Sequence, residues 1–248
     1  FILDYFFYRS HCKVLYQEQA EKLLRLDQDI ELDPVTSARI IPYPPANRIF
    51  LSQPSSIVFM DCACRIERGL KGKEPVDVCI AVGEPIAGFW LEHGAERLNA
   101  RRISAEEALE IVRRERERGS IPTAWFKDAA GNRFFGICNC SPAGCDALES
   151  AQIARMLQVE DPPSIALASG YGARADRSRC KGCGTCVEVC PFQAISLDGD
   201  DKAVIIYDLC MGCGLCVDRC KQEALSLVRD ERKGVPFDVE ELSPHAGV

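Results

Sequence analysis

Two stretches carry the side chains with the most chemistry: Cys180, Cys183, Cys186 and Cys190, then Cys210, Cys213, Cys216 and Cys220. Each reads Cys-x-x-Cys-x-x-Cys-x-x-x-Cys, and the flanking residues repeat as well, CVEVCPFQAISL against CVDRCKQEALSL. Two-residue gaps let consecutive thiolates point inward from one tight loop, which suits a polynuclear iron-sulfur core of the 4Fe-4S type. Gly182, Gly184, Gly212 and Gly214 lie between the cysteines, and the expectation is that they let the backbone approach the inorganic core. Zinc sites separate two ligand pairs by a longer insert, and a disulfide network suits a small secreted domain rather than 248 residues.

Duplicated loop-helix-strand units of this kind resemble the two-cluster bacterial ferredoxins, over roughly residues 174–229. The resemblance implies that three closely spaced cysteines wrap one cluster while the fourth crosses to the other. One cluster then takes Cys180, Cys183, Cys186 and Cys220, and the second takes Cys210, Cys213, Cys216 and Cys190. Pro191 follows Cys190 as in that pattern, whereas Lys221 follows Cys220. The departure leaves the ligands intact, and a cation there would raise the potential of the nearer cluster.

Six further cysteines fall in three places: Cys62 and Cys64, Cys79, then Cys138, Cys140 and Cys145. All lie at the ends of predicted strands or just after them, and strand ends on one edge of a sheet converge. A Cys-x-Cys pair on extended backbone presents both thiols to one face. The stretches DCACRIERGLKG, VCIAVGE, ARRISAEEALEIVRRERERG and GICNCSPAGCDAL resemble a family of iron-sulfur proteins of anaerobic bacteria and archaea, over about residues 55–229. In that family a cysteine-rich CxCR/ICNC region precedes a carboxy-terminal two-cluster ferredoxin. The resemblance implies electron transfer with an additional metal centre. This chain lacks a cysteine between Arg65 and Cys79, where relatives have one, and continues SPAGC after Cys140 in place of a cysteine string. The expected ligand set is Cys64, Cys79, Cys138 and Cys140, with Cys62 and Cys145 as alternates. The group held is a third 4Fe-4S cluster, with zinc or metal-free thiols as the alternatives. Cys79, inside an apolar run, is the one most readily read as core. Arg65 would either steady an anionic group or form a structural ion pair.

The elements that must position these groups give an α+β expectation: a carboxy-terminal ferredoxin-like domain preceded by a small mixed α/β domain and a helical amino-terminal segment. Residues 1–28 read as helical from Val14, Leu15, Leu23 and Leu26, with Glu18, Glu21 and Lys22 on the polar side. The aromatic run Tyr5, Phe6, Phe7 and Tyr8 is a candidate for contact with a membrane or partner, against the plainer reading of a helix packed on the body. His11 and Cys12 are adjacent, a lone pair that is structural more often than metal-binding. Prolines punctuate residues 33–54, an extended connector with an edge strand near Ile49 to Leu51. Strands are expected at 57–60 and 76–82, and a helix at 86–98. Ser104 and Glu107 form a capping box ahead of a second helix, closed by Gly119 after a solvated charge run. A hairpin at 123–126 and 133–137, a helix over 146–157 and a strand at 165–169 lead into the ferredoxin unit. The expected domains are 1–54 (amino-terminal segment and connector), 55–165 (α/β domain with the candidate site), 166–233 (ferredoxin unit) and 234–248 (extended tail).

Thirty-seven acidic against thirty basic residues leave a net charge of −7, without the basic footprint nucleic acid requires. Fifteen cysteines argue for a reducing, anaerobic cytoplasm. No secretory signal and no apolar run near the roughly 20 residues of a bilayer span is visible, and the start at Phe1 calls for caution about what precedes it. The three histidines, His11, His93 and His245, give acid-base catalysis few candidates, and a lysine-bearing phosphate loop is absent. The expectation is an electron carrier of low potential, about −400 mV by analogy, acting as a subunit or dedicated partner of an anaerobic oxidoreductase complex. The alternatives are an enzyme whose middle centre keeps an open site, and an iron-sulfur redox sensor.

Overall fold

The computed structural model describes residues 10–42, 49–127, 133–141, 144–146, 148–150, 153 and 166–242. Eight strands build the larger sheet: β1 (Ser10–Val14), β2 (Ile30–Glu31), β3 (Phe50–Asp61), β4 (Asp77–Glu84), β5 (Arg101–Ile103), β6 (Ile121–Lys127), β7 (Arg133–Cys140) and β8 (Ala166–Leu167). They run in the order β2-β3-β4-β7-β6-β1-β8, with β5 also pairing with β3. Every pairing is antiparallel except that of β1 with β8. The helices of this part are α1 (Gln17–Leu24), α2 (Pro34–Ile40), α3 (Ala63–Glu67), α4 (Ile86–Leu98) and α5 (Ala105–Glu117).

Side-chain alternation divides the sheet into two faces. On the first, Ile57, Phe59, Ile80, Phe126, Phe134 and Ile137 pack with Leu23 and Leu24 of α1 and Leu109 and Val112 of α5. The expected cap of α5 is present, Ser104 Oγ accepting from the Glu107 amide at 3.2 Å. The Glu107 carboxylate turns to Arg101. The second face carries Val58, Met60 and Cys79 beneath α4, and Cys12, Trp125 and Cys140 beneath the carboxy-terminal unit.

The expected helix over residues 1–28 is instead a strand followed by a helix. β1 lies between β6 and β8, so its backbone groups are satisfied on both sides, and this long-range pairing overrides the local periodicity that suggested a helix. The helical spacing belongs to α1 alone. Strand alternation also sends His11 and Cys12 to opposite faces, so they do not form a ligand pair. A boundary at residue 54 falls inside β3, and residues 10–14 belong to the sheet rather than to an appended segment. The aromatic run at residues 5–8 lies outside the described residues.

The connector is more regular than its prolines suggested. Asp33 Oδ1 accepts from the amides of Val35 and Thr36 at 2.9 and 3.0 Å, and Pro34 opens α2, where its missing amide is not needed. The strand expected near 49–51 is present as the start of β3, with Leu51 opposite Ile30, but it is internal rather than an edge, since β2 and β4 flank it. Pro54 falls in a register shift of β3, where the sheet tolerates it. Only part of the helix over 146–157 is described, with helical backbone at Asp146, 148–150 and Ile153. The strand at 166–167 joins the larger sheet.

The tail returns to the first face. Phe237 packs against Phe126 and Phe134 with ring centroids 5.9 and 5.7 Å apart and is 1% exposed. Lys22 reaches Asp238 and Glu240, each at 2.8 Å, and a short helix, Val239–Leu242, follows. The extended tail expected at 234–248 is therefore, over its described residues, a plug of the core. Phe237→Ala is expected to cost about 3–4 kcal/mol, read as a lowered denaturation midpoint under anaerobic conditions.

Candidate metal centres

In the carboxy-terminal unit β9 (Tyr171–Ala175) pairs with β12 (Leu225–Arg229), and β10 (Ile195–Leu197) with β11 (Ala203–Ile205). Between them α6 (Thr185–Glu188) and α7 (Leu215–Asp218) each follow a cysteine loop. Two small cavities open inside, each of about 20 Å³. Cys180, Cys183, Cys186 and Cys220 line one; Cys190, Cys210, Cys213 and Cys216 line the other. Each therefore gathers three cysteines from one repeat and the fourth from its twin. Backbone amides donate to four of the sulfurs: Ala203 to Cys180, Ala224 to Cys220, Ala194 to Cys190 and Ala173 to Cys210, at 3.3–3.4 Å. Hydrogen bonds to cluster sulfurs are one of the levers that set a cluster's reduction potential.

The four glycines have a reason within the protein itself. All adopt positive φ, between 66° and 78°, and a Cβ on Gly182 or Gly212 would strike the backbone of Asp201 or Tyr171. Backbone conformation and protein packing thus account for them.

The two cavities differ in surroundings. Cys183 is exposed, whereas Cys210, Cys213 and Cys216 are each 7% exposed. Beside the inner cavity lies Arg116, from the end of α5, which pairs with Asp218 at 2.6 Å. Its Nη1 is buried without a hydrogen-bond partner among the described residues, a cation facing a place where negative charge would be welcome. Burial pushes the Cys213 thiol up to about 11, with Arg116 pulling the other way. Lys233, its Nζ 4.0 Å from the Tyr207 ring centre, adds charge near Cys210. Lys221 is exposed.

The six remaining candidate cysteines line one cavity of about 140 Å³, walled by Met60, Trp90, Trp125 and Phe135. They meet chiefly because neighbouring strands turn them to one face. Cys79 in β4 stands opposite Cys138 in β7, Sγ to Sγ 3.8 Å. Cys138 and Cys140 share that face by alternation, as expected. Cys62 and Cys64 do not follow the extended-strand argument: Cys62 caps α3 and Cys64 lies within it. Several of the sulfurs are in direct contact. Cys62 is hydrogen-bonded to Cys64 and Cys79, and Cys79 to Cys138. Cys140 instead meets Cys145 at 3.2 Å.

These thiols hold their protons. Cys79 is raised by its hydrogen bond with Cys138 and by burial, against a lowering contact from Cys62. The Cys64 contact lowers Cys62, but Cys79 and burial outweigh it and carry it to about 12. The cavity's lining includes one cation, Arg65, and its charge is taken: Nη2 lies 3.2 Å from Glu115 Oε2 and 2.8 Å from the Asn139 carbonyl, with Ser120 and Pro75 completing the shell. Of its two expected roles, Arg65 has that of the structural ion pair. A metal would thus supply the positive charge the thiolates need and displace their protons. Among the described residues no three Cys, His, Asp or Glu side chains close on one point as a single ion requires, and the eight cysteines of the carboxy-terminal unit are no tighter.

Sequence reasoning missed Cys12 as a neighbour of this site. Fully buried on β1, its thiol is raised by burial and then by Cys145. Its signal was the alternation of SHCKV, legible only once β1 is known to be a strand. His93 is exposed on α4, against the Phe89 ring at 4.8 Å.

Residues 179–234 match the family of 4Fe-4S dicluster domains. That match supports 4Fe-4S chemistry and an electron-transfer role for this part of the chain. No curated protein is detectably similar to the chain. The six-cysteine half lies outside the matched residues. Among the described residues, no helix is long and apolar enough to cross a membrane.

Proposed function

We propose that the chain passes single electrons through two 4Fe-4S clusters to a third centre in the larger sheet, as a subunit or dedicated partner of an oxidoreductase. Cys180, Cys183, Cys186 and Cys220 hold the outer cluster; Cys190, Cys210, Cys213 and Cys216 hold the inner one. Cys62, Cys64, Cys79 and Cys138 hold the third, Cys62 taking the place that sequence reasoning assigned to Cys140. Each cluster, when bound, takes up or releases one electron. The carrying observation is contiguity: Cys140 and Cys145 of the larger cavity share one buried cluster with Phe192, Cys210 and Cys213 of the inner ferredoxin cavity. The exposed Cys183 marks the end at which a redox partner docks. A cubane suits the third site better than zinc, because six thiols line a cavity of about 140 Å³ and, among the described residues, no three of them close on one point as a single ion requires.

Iron, zinc and acid-labile sulfide measured on anaerobically purified protein test this, with electron paramagnetic resonance of the reduced sample. About twelve irons with matching sulfide support three cubanes; about eight without zinc remove the third centre. The spare room also favours a second reading, in which the third centre leaves a position open for a small substrate. Substrate-dependent change in the third centre's resonance signal would favour it.

Arg116 is expected to hold up the inner cluster's potential. A unit charge at about 10 Å and an effective dielectric of about 20 is worth roughly 1.7 kcal/mol, or about 70 mV for one electron. Arg116→Gln is therefore expected to lower that midpoint by roughly 70 mV in a potentiometric titration, with the outer cluster unmoved.

A further inference from the structure

Two of the six cavity cysteines, Cys140 and Cys145, meet sulfur to sulfur. Cys140 Sγ and Cys145 Sγ are 3.2 Å apart, and closing to a disulfide needs a movement of about 1 Å. Both are held on fixed backbone. Cys140 ends β7 opposite Ile121, and Cys145 precedes a helical turn in which its carbonyl accepts from the Glu149 amide at 3.1 Å. The Thr123 hydroxyl lies 3.2 Å from both Cys140 Sγ and the Cys138 carbonyl and so fixes the position of that sulfur. The pair lies on the side of the cavity that shares a buried cluster with Cys210 and Cys213.

We propose that Cys140 and Cys145 are a redox couple, a disulfide when oxidised and two thiols when reduced, set between the inner ferredoxin cluster and the third centre. Reduction breaks the sulfur-sulfur bond, takes two electrons delivered singly by the iron-sulfur clusters, and takes two protons from water reaching the cavity, one for each sulfur. Oxidation returns both electrons to the clusters and both protons to water. The couple would store a pair of electrons beside one-electron carriers, converting single-electron flow into thiol chemistry. The proposal rests on the reading of the third centre in the proposed function, which takes its four ligands from the other cavity cysteines.

The test uses the anaerobic holoprotein. Samples poised oxidised and reduced are denatured in iodoacetamide, and the tryptic peptide from Phe134 to Arg155 is weighed. The expected result is an internal Cys140–Cys145 disulfide in the oxidised sample and three alkylated cysteines in the reduced one. In a reductive titration, Cys145→Ser is expected to take up two electrons fewer than the unsubstituted protein, with equal iron and sulfide; Cys140→Ser should match it. Retention of the dicluster resonance signal shows that the variants fold. Equal electron uptake, or three alkylated cysteines in both states, would overturn the couple. Loss of iron in Cys145→Ser would overturn it too, making Cys145 a ligand and leaving the third centre standing. A disulfide found in protein holding only about eight irons would support the couple while removing the third centre.

Discussion

Cys79→Ser is expected to lower iron and acid-labile sulfide from about twelve to about eight per chain, while the signals of the carboxy-terminal clusters persist. The substitution keeps the volume of the side chain but removes the thiolate. Its position makes the effect large, since Cys79 touches both Cys62 and Cys138 and so joins the α3 turn to β7. Cys12→Ser serves as the contrast. Cys12 is buried behind Cys140 and does not line the cavity, so its iron content should stay near that of the unsubstituted protein. Equal iron in Cys79→Ser would remove Cys79 from the ligand set.

Arg65→Met should destabilise the fold by about 3–5 kcal/mol, the range for breaking one partner out of a buried ion pair. Arg65 is 2% exposed and Glu115 1%, and the substitution leaves the buried carboxylate with Arg118, at 2.7 Å, and the Ser120 hydroxyl, at 3.0 Å, to answer it. It also frees the carbonyls of Pro75 and Asn139, which the guanidinium draws together from the chain before β4 and the end of β7. Geometry at Cys138 and Cys140 should loosen with them. Adding Glu115→Leu removes the stranded charge, so the double variant should recover part of the stability in a double-mutant cycle by denaturation. Stability equal to the unsubstituted protein in Arg65→Met alone would show the pair to be dispensable.

Much of this was legible in local pattern. The Ser104 cap and the β6–β7 hairpin each depend on residues near one another in the chain and stand where the pattern put them, and the carboxy-terminal cysteine repeat lies within the residues that match a 4Fe-4S dicluster domain. The meeting of the six other cysteines was legible in outline only. Strand ends were expected to converge on an edge, whereas Cys79 and Cys138 are cross-strand partners within the sheet. What stayed hidden depends on distant partners. SHCKV becomes a strand because β6 and β8 flank it, and Arg65 is a structural residue because Glu115 lies across the core from it. No window around either residue contains that information.

The aromatic plug has a consequence for how the molecule is made. Phe126 and Phe134 leave the ribosome well before Phe237, and the whole ferredoxin repeat emerges between them. During synthesis the first face of the sheet keeps an open aromatic socket until the repeat has emerged. The backbone that carries Phe237 home passes through β12, which is paired within that repeat. A repeat that fails to fold would therefore leave the socket unfilled, so the foldedness of the larger sheet is tied to that of the unit that follows it in the chain.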